Sequence, residues 1–207
     1  NRRLTDRDKE KGDSRGNHLI VLAKNKKGYH NLIKLVSKAW IDGFYGCPRT
    51  DHVELEKYHE GLIVCSACIA GEVPERILRD DEEGAEKALL WYKQVFGDDY
   101  YLELQRHEVR NPNIRANRET YPLQQRANSK LIELARKHNV KLICSNDCHF
   151  VDEENAEAHD RLLCLSTGKD LNDPTRMLYS KQEWLKTREE MNEIFADIPE
   201  ALANTCE

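Results

Sequence analysis

Four short apolar runs constrain this chain more than any other feature, because segments of helical period separate each from the next. They cover residues 19–23, 61–68, 100–105 and 142–145. Each is bounded like a strand and too short for a helix, which reads as a buried strand. Between them, apolar residues recur every three or four positions. Tyr29, Leu32, Ile33, Val36 and Trp40 mark a helix over about 27–40. Ala85, Ala88, Leu89, Tyr92 and Phe96 mark one over about 81–96, and Leu123, Ala127, Leu131, Leu134 and Ala135 one over 121–138. A short helix ending at Tyr58 is expected after Thr50 or Asp51, and helical turns over 73–78. Beyond the fourth run, Ala158, Leu162 and Leu165 predict the core face of a helix over 155–165, stopped at Thr167-Gly168. Residues 171–179 read as loop, followed by helices over 184–195 and 199–206. This alternation predicts an α/β fold with right-handed crossovers and a largely parallel sheet. Four strands are too few to close a barrel, so they suit an open sheet or most of a barrel whose earlier strands precede residue 1.

With 207 residues the chain is long enough for a domain with a real core. Its net charge of -5 provides no global positive field to draw nucleic acid, so any contact with a phosphodiester would run through metal ions or a basic neighbouring domain. No apolar run is long enough to cross a bilayer, and no signal peptide pattern is present. Seven cysteines, mostly inside apolar segments, predict reduced thiols and a cytoplasmic setting. Cys65-x-x-Cys68 with Cys144-x-x-x-Cys148 would permit a four-thiolate zinc site, against the plainer role of small core residues. Residues 1–17 are almost all charged, Gly or Ser, with Leu4 alone apolar, and read as a mobile polar arm or loop. The first residue is not Met, and the sequence reads as a fragment.

The richest chemistry lies at 141–150, where an apolar run ends in Asn146-Asp147-Cys148-His149-Phe150. If strand geometry continues, Asp147 and His149 point the same way, since side-chain direction repeats every two residues. The competing reading is a solvated turn, or a helix cap by Asp147. The second run leads to Gly71-Glu72 and the third to Arg106, His107 and Glu108. In a parallel sheet such ends share one edge, and a carboxylate–imidazole set suits Zn, Mn or Fe. Ions grouped there would polarise a phosphoryl oxygen and activate water. Each residue also has a structural reading: Glu72 as a first-turn helix charge, His107 as a surface residue beside Arg106. His159 reads as a supporting or capping residue, while His18, His30, His52, His59 and His138 receive no chemical role. No Ser-His-Asp arrangement, P-loop or dinucleotide fingerprint is present.

Extended motifs carry a resemblance. They include His18-Leu19-Ile20-Val21-Leu22-Ala23-Lys24-Asn25, Gly28-Tyr29-His30-Asn31-Leu32, Tyr58-His59-Glu60-Gly61-Leu62-Ile63 and Ala70-Gly71-Glu72. Trp91-Tyr92, Tyr101-Leu102-Glu103-Leu104-Gln105, Asn146-Asp147-Cys148-His149-Phe150, Ala156-Glu157-Ala158-His159-Asp160 and Pro199-Glu200-Ala201-Leu202 continue it. Nearly everything from His18 onward resembles the amino-terminal PHP (polymerase and histidinol phosphatase) domain of the bacterial DNA polymerase III alpha subunit. The resemblance implies a portion of a distorted seven-stranded (β/α) barrel, lacking its first strands. It divides the chain into an arm over 1–17, a PHP portion over 18–170, and a helical part over 171–207 leading toward a polymerase core. By motif, Glu72, His107, Asp147 and His149 resemble the family's metal ligands, with Zn or Mn as the expected divalent ions. Arg106 would neutralise substrate phosphate. DNA, met through the parent polymerase, and other holoenzyme subunits are the implied partners, with no membrane. The family's His-x-His and Thr-Asp-His segments normally precede the equivalent of Asn1; a chain that truly starts there is expected to lack a complete metal shell, the alternative being that it is one portion of a larger protein. The implied activity is phosphoester or 3′-5′ exonuclease hydrolysis. The alternatives are a non-catalytic scaffold of the same polymerase, or a free-standing metallophosphatase of the histidinol-phosphatase type.

Overall fold

The structure, a computed structural model, describes residues 2–12, 15–109, 115 and 119–207. It is mixed α/β, with one four-stranded sheet in the order β1-β2-β3-β4: β1 (Ile20–Ala23), β2 (Leu62–Cys65), β3 (Tyr100–Gln105) and β4 (Lys141–Ser145). The helices are α1 (Lys26–Ile41), α2 (His52–Lys57), α3 (Glu72–Leu78), α4 (Glu82–Phe96), α5 (Tyr121–His138), α6 (Ala156–Thr167), α7 (Arg188–Ile194) and α8 (Pro199–Asn204). The chain forms two compact units, residues 1–102 with 136–141 and residues 103–135 with 142–207. None of the described helices is long and apolar enough to cross a membrane.

In the first unit, α4 has its expected stripe. Asp81 caps it by accepting from the Gly84 N–H at 2.9 Å, and Ala85, Ala88, Leu89, Tyr92 and Phe96 are buried. Burying a residue such as Leu89 contributes about 1.5–3 kcal/mol. β2 and β3 are parallel, as expected, pairing Val64 with Tyr100 and Cys65 with Tyr101. β1 and β2 are antiparallel instead, pairing Ile20 with Cys65 and Ala23 with Leu62. The cause lies at Gly61, which enters β2 at a φ of +76°. Its carbonyl accepts from the Lys24 N–H at 2.8 Å, and Asn31 donates to the Glu60 carbonyl at 2.9 Å. β2 therefore begins where β1 ends, and the two must run in opposite directions.

The same anchoring turns α1 over. Its buried positions are Gly28, Asn31 and Leu35, whereas Tyr29, Ile33, Val36 and Trp40, read from the sequence as one apolar face, are 45–58% exposed. A glycine and an amide win the inward face because the helix start lies too close to Gly61 for any larger side chain. The segment read as a mobile arm or loop is tied down at Leu4 and Asp6. Leu4 is buried, its N–H donates to Asp51 Oδ2 at 3.0 Å, and Arg49 donates to the carbonyls of Leu4 at 2.8 Å and Asp6 at 3.0 Å.

In the second unit, α5 buries Ala127, Leu131, Leu134 and Ala135 as expected, while Leu123 stays partly exposed. On α6 only Ala156 is buried, so the Leu162 and Leu165 core face is not found. α7 begins at Arg188 rather than at Trp184. Thr187 caps it in a capping box with Glu190, and Trp184 is drawn into a bridge with Phe150. Phe195, Ile198 and Ala201 enter the core, and Asn204 donates to the Leu142 carbonyl at 2.9 Å, fastening the end of α8 to β4.

Candidate functional site

β4 stops at Ser145, and the chain turns rather than continuing as strand, with Asp147 in the left-handed region at a φ of +44°. The turn still brings the expected pair together: Asp147 Oδ1 lies 3.6 Å from His149 Nε2, with about a third of each side chain exposed. A neighbouring extended segment holds this turn. Asn146 donates to the carbonyls of Gln182 at 2.8 Å and Trp184 at 2.7 Å, and the His149 N–H donates to the Glu183 carbonyl at 2.7 Å. The His149 ring packs against Tyr179 at 4.5 Å and His159 at 5.6 Å between centroids. Burial and the nearby His149 hold the His159 imidazole below its usual pKa.

His107 is buried beyond the end of β3, not on the surface. Its backbone N–H donates to Gln124 Oε1 at 2.9 Å, its Nδ1 meets Gln124 Nε2 at 2.9 Å, and its Nε2 meets the Asn146 carbonyl at 3.1 Å. Burial lowers its pKa, opposed by Glu183, the Asn146 carbonyl and Asp147, so the ring is neutral near pH 7. Beneath it, Gln105 donates to Glu103 at 3.2 Å and to Ser145 at 3.3 Å, a buried polar ladder in which the Ser145 hydroxyl also donates to Glu103.

Arg106 is committed elsewhere. Its guanidinium grips Asp197 through two bonds of 2.6 and 2.9 Å, donates to the Ile194 carbonyl at 2.8 Å, and lies over the Phe195 ring. Glu72, in the first unit, opens α3 as a first-turn acid. Its carboxylate meets His52 Nε2 at 2.8 Å and accepts from Tyr92 at 3.1 Å and Arg76 at 3.3 Å. Burial opposes its charge, but these bonds outweigh it and hold the carboxyl below its usual range. The His52 ring stacks on Trp91 at 3.7 Å. His18, also in the first unit, bridges to Gly71, with its Nδ1 3.4 Å from Cys68 Sγ.

Among the described residues, no three or more His, Cys, Asp or Glu side chains form a group able to hold a metal ion. Of the expected set, Asp147 and His149 lie together within the second unit, and their mixed oxygen and nitrogen donors fit part of a Zn or Mn shell. The sequence reading missed Glu183, a buried carboxylate whose Oε1 lies 3.5 Å from His107 Nδ1 and whose Oε2 lacks a hydrogen-bond partner among the described residues. Ser180 and Glu183 have the spacing of a capping box, a signal that points to a helix start and away from a site.

Comparison with known proteins agrees with this architecture. The chain is 45% identical over 189 residues to the DNA polymerase III subunit alpha of Borreliella burgdorferi, covering 91% of this chain and 15% of that protein. It is 42% identical over 201 residues to that of Campylobacter jejuni, covering 92% and 16%. Against that of Thermus aquaticus it is 38% identical over 185 residues, covering 89% and 14%. The chain therefore spans about a sixth of the length of these relatives. The PHP domain model matches residues 4–107, half of the chain, and that match makes this chain a member of the PHP domain family.

Proposed function

We propose that this chain is the PHP portion of a bacterial replicative DNA polymerase III alpha subunit, a DNA-directed DNA polymerase, and forms part of its seven-stranded barrel. On this reading residues 18–170 belong to the barrel, residues 171–207 lead toward the polymerase core, and the setting is cytoplasmic. DNA and the other replicative subunits are its partners through the parent protein. We further propose that it contributes to a divalent-metal site for phosphoester or 3′-5′ exonuclease hydrolysis. The carrying observation is the Asp147–His149 pair, 3.6 Å apart and partly exposed where β4 ends. Asp147 and His149 would hold the ion, with His107 adjoining. A bound Zn or Mn supplies Lewis acidity toward a phosphoryl oxygen and toward water. Asp147 contributes negative charge and His149 a neutral nitrogen donor. Glu72 is engaged within the first unit by His52, Tyr92 and Arg76, and Arg106 reaches a phosphate only by leaving Asp197.

Those same engagements favour a second reading, a non-catalytic scaffold in which Glu72, Arg106 and His107 serve packing. Metal analysis of the full-length alpha chain, purified without chelator, separates the two. The hydrolytic reading expects bound Zn or Mn in molar proportion, lost together with phosphodiester hydrolysis in Asp147→Ala. Full metal retention in Asp147→Ala, or no transition metal in the wild type, leaves only the scaffold.

A further inference from the structure

The face that α1 turns outward is built like an interface. Tyr29, Ile33, Val36 and Trp40 follow one another at steps of four, three and four residues, which lines them up in one exposed seam. The Trp40 ring stacks on Phe44 at 5.7 Å between centroids and carries the seam past the end of the helix. Single exposed apolar residues are ordinary on a protein surface, whereas a continuous seam of this kind marks a contact. Its direction is enforced from the other side of the helix. The Gly28–Gly61 approach and the Asn31 bond fix which side of α1 packs inward, so the seam is held outward. Tyrosine and tryptophan supply much contact area at little entropic cost, and they are enriched among the residues that dominate interfaces.

Charge beside the seam indicates what covers it. α1 contains four lysines and no acidic residue. Lys38 is engaged by Asp42 at 2.8 Å, and Lys27 lies 3.5 Å from Glu60. Lys26 and Lys34 stand with His30 at intervals of four along one flank of the seam, and the Lys34 ammonium lies over the Tyr58 ring. A second copy is disfavoured as the occupant, because antiparallel pairing about a two-fold axis sets this lysine flank against itself. A helix with carboxylates beside its own apolar seam is complementary instead. Chain length indicates the source. The chain spans about a sixth of the length of its relatives, so on the reading above most of the parent polypeptide is tethered to α1 at high effective concentration.

We propose that the outward face of α1 docks an amphipathic helix of the same parent polypeptide, one that lies outside residues 1–207 and carries Asp or Glu along its flank. Tyr29 and Trp40 are the anchors, and Lys26 and Lys34 pair with the carboxylates. This inference rests on the assignment of the chain to a larger polymerase polypeptide, and it holds for the hydrolytic and the scaffold readings alike.

The test uses the full-length alpha chain with no other subunit and no DNA present. A zero-length carbodiimide joins a lysine ammonium to a carboxylate in contact with it, and mass spectrometry of the linked peptides identifies both residues. Lys26 or Lys34 is expected to link to an Asp or Glu of the same polypeptide outside residues 1–207. An equal mixture of isotope-labelled and unlabelled chain distinguishes links within one molecule from links between two. Trp40→Ala is expected to lower the yield of that link at least about tenfold. Val36→Asn, which leaves the Trp40–Phe44 stack in place, is expected to lower it as well. Links between two copies, links confined to residues 1–207, or no link at either lysine overturn the proposal. A yield within about twofold of wild type in either variant overturns it too. A parent polypeptide without polymerase sequence beyond these residues overturns the assignment itself, whereas a different link partner overturns the docking alone.

Discussion

At the scale of single residues, charge placement decides what each candidate can do. Arg106 is bound bidentately by Asp197 and covered by Phe195, so its role here is to fasten the end of β3 to the segment between α7 and α8. A double-mutant cycle between Arg106→Ala and Asp197→Ala should give a coupling of about 1 kcal/mol, since the pair is forked but partly exposed. Arg106→Lys should recover less than half of it, because an ammonium cannot fork. Urea unfolding curves measure both. A second residue-scale prediction concerns Asp173. The Thr175 hydroxyl and N–H, with Lys169, hold its carboxyl at about 2. Because this is below the unfolded value, its contribution to stability is present above the unfolded pKa and disappears as pH falls toward 2. An NMR titration should place its midpoint near that value, and Thr175→Val should raise it.

At the scale of elements, the closest backbone approach is the most demanding feature. A Cβ built on Gly28 would lie 1.7 Å from the Gly61 carbonyl oxygen, so Gly28→Ala must push α1 off the start of β2. Overpacking of this kind costs about 3 kcal/mol, which lowers Tm by about 10 °C in a chain of this size, as a thermal melt would record. This contact also marks where periodicity stops being informative. On α4 the apolar stripe and the buried face coincide, because its specific contacts, such as the Tyr92 bond to Glu72, act along the face that is buried anyway. On α1 the stripe faces outward, because a glycine contact and the Asn31 amide fix the helix rotation first. Such a bond pairs positions 29 residues apart, and a local pattern contains no trace of it. The start of α7 was misplaced for the same reason: Trp184 is held by its bridge to Phe150.

At the scale of the whole molecule, the seven cysteines are reduced thiols, with Cys65 and Cys144 buried and Cys148 and Cys206 exposed. Burial pushes the Cys144 thiol up to about 12, well above the range in which it reacts as thiolate near neutral pH. A thiol reagent at pH 8 should therefore label Cys148 and Cys206 first, and Cys65 and Cys144 only in denaturant, as peptide mapping by mass spectrometry would report. Early labelling of Cys144 would contradict the packing around β4. The sequence by itself determined the α/β alternation, the four strands and nearly all helices, and the nearness of Asp147 to His149, because these follow from short-range periodicity and a spacing of two residues; it left open whether strand or turn carries that pair. Tertiary structure alone decided the antiparallel entry of β2, the outward face of α1, the engagement of Arg106 and Glu72, and the burial of Glu183 beside His107. Each of these is set by a hydrogen bond or steric limit between residues distant in the chain, where the partner, and not the residue's own type, determines what the side chain is able to do.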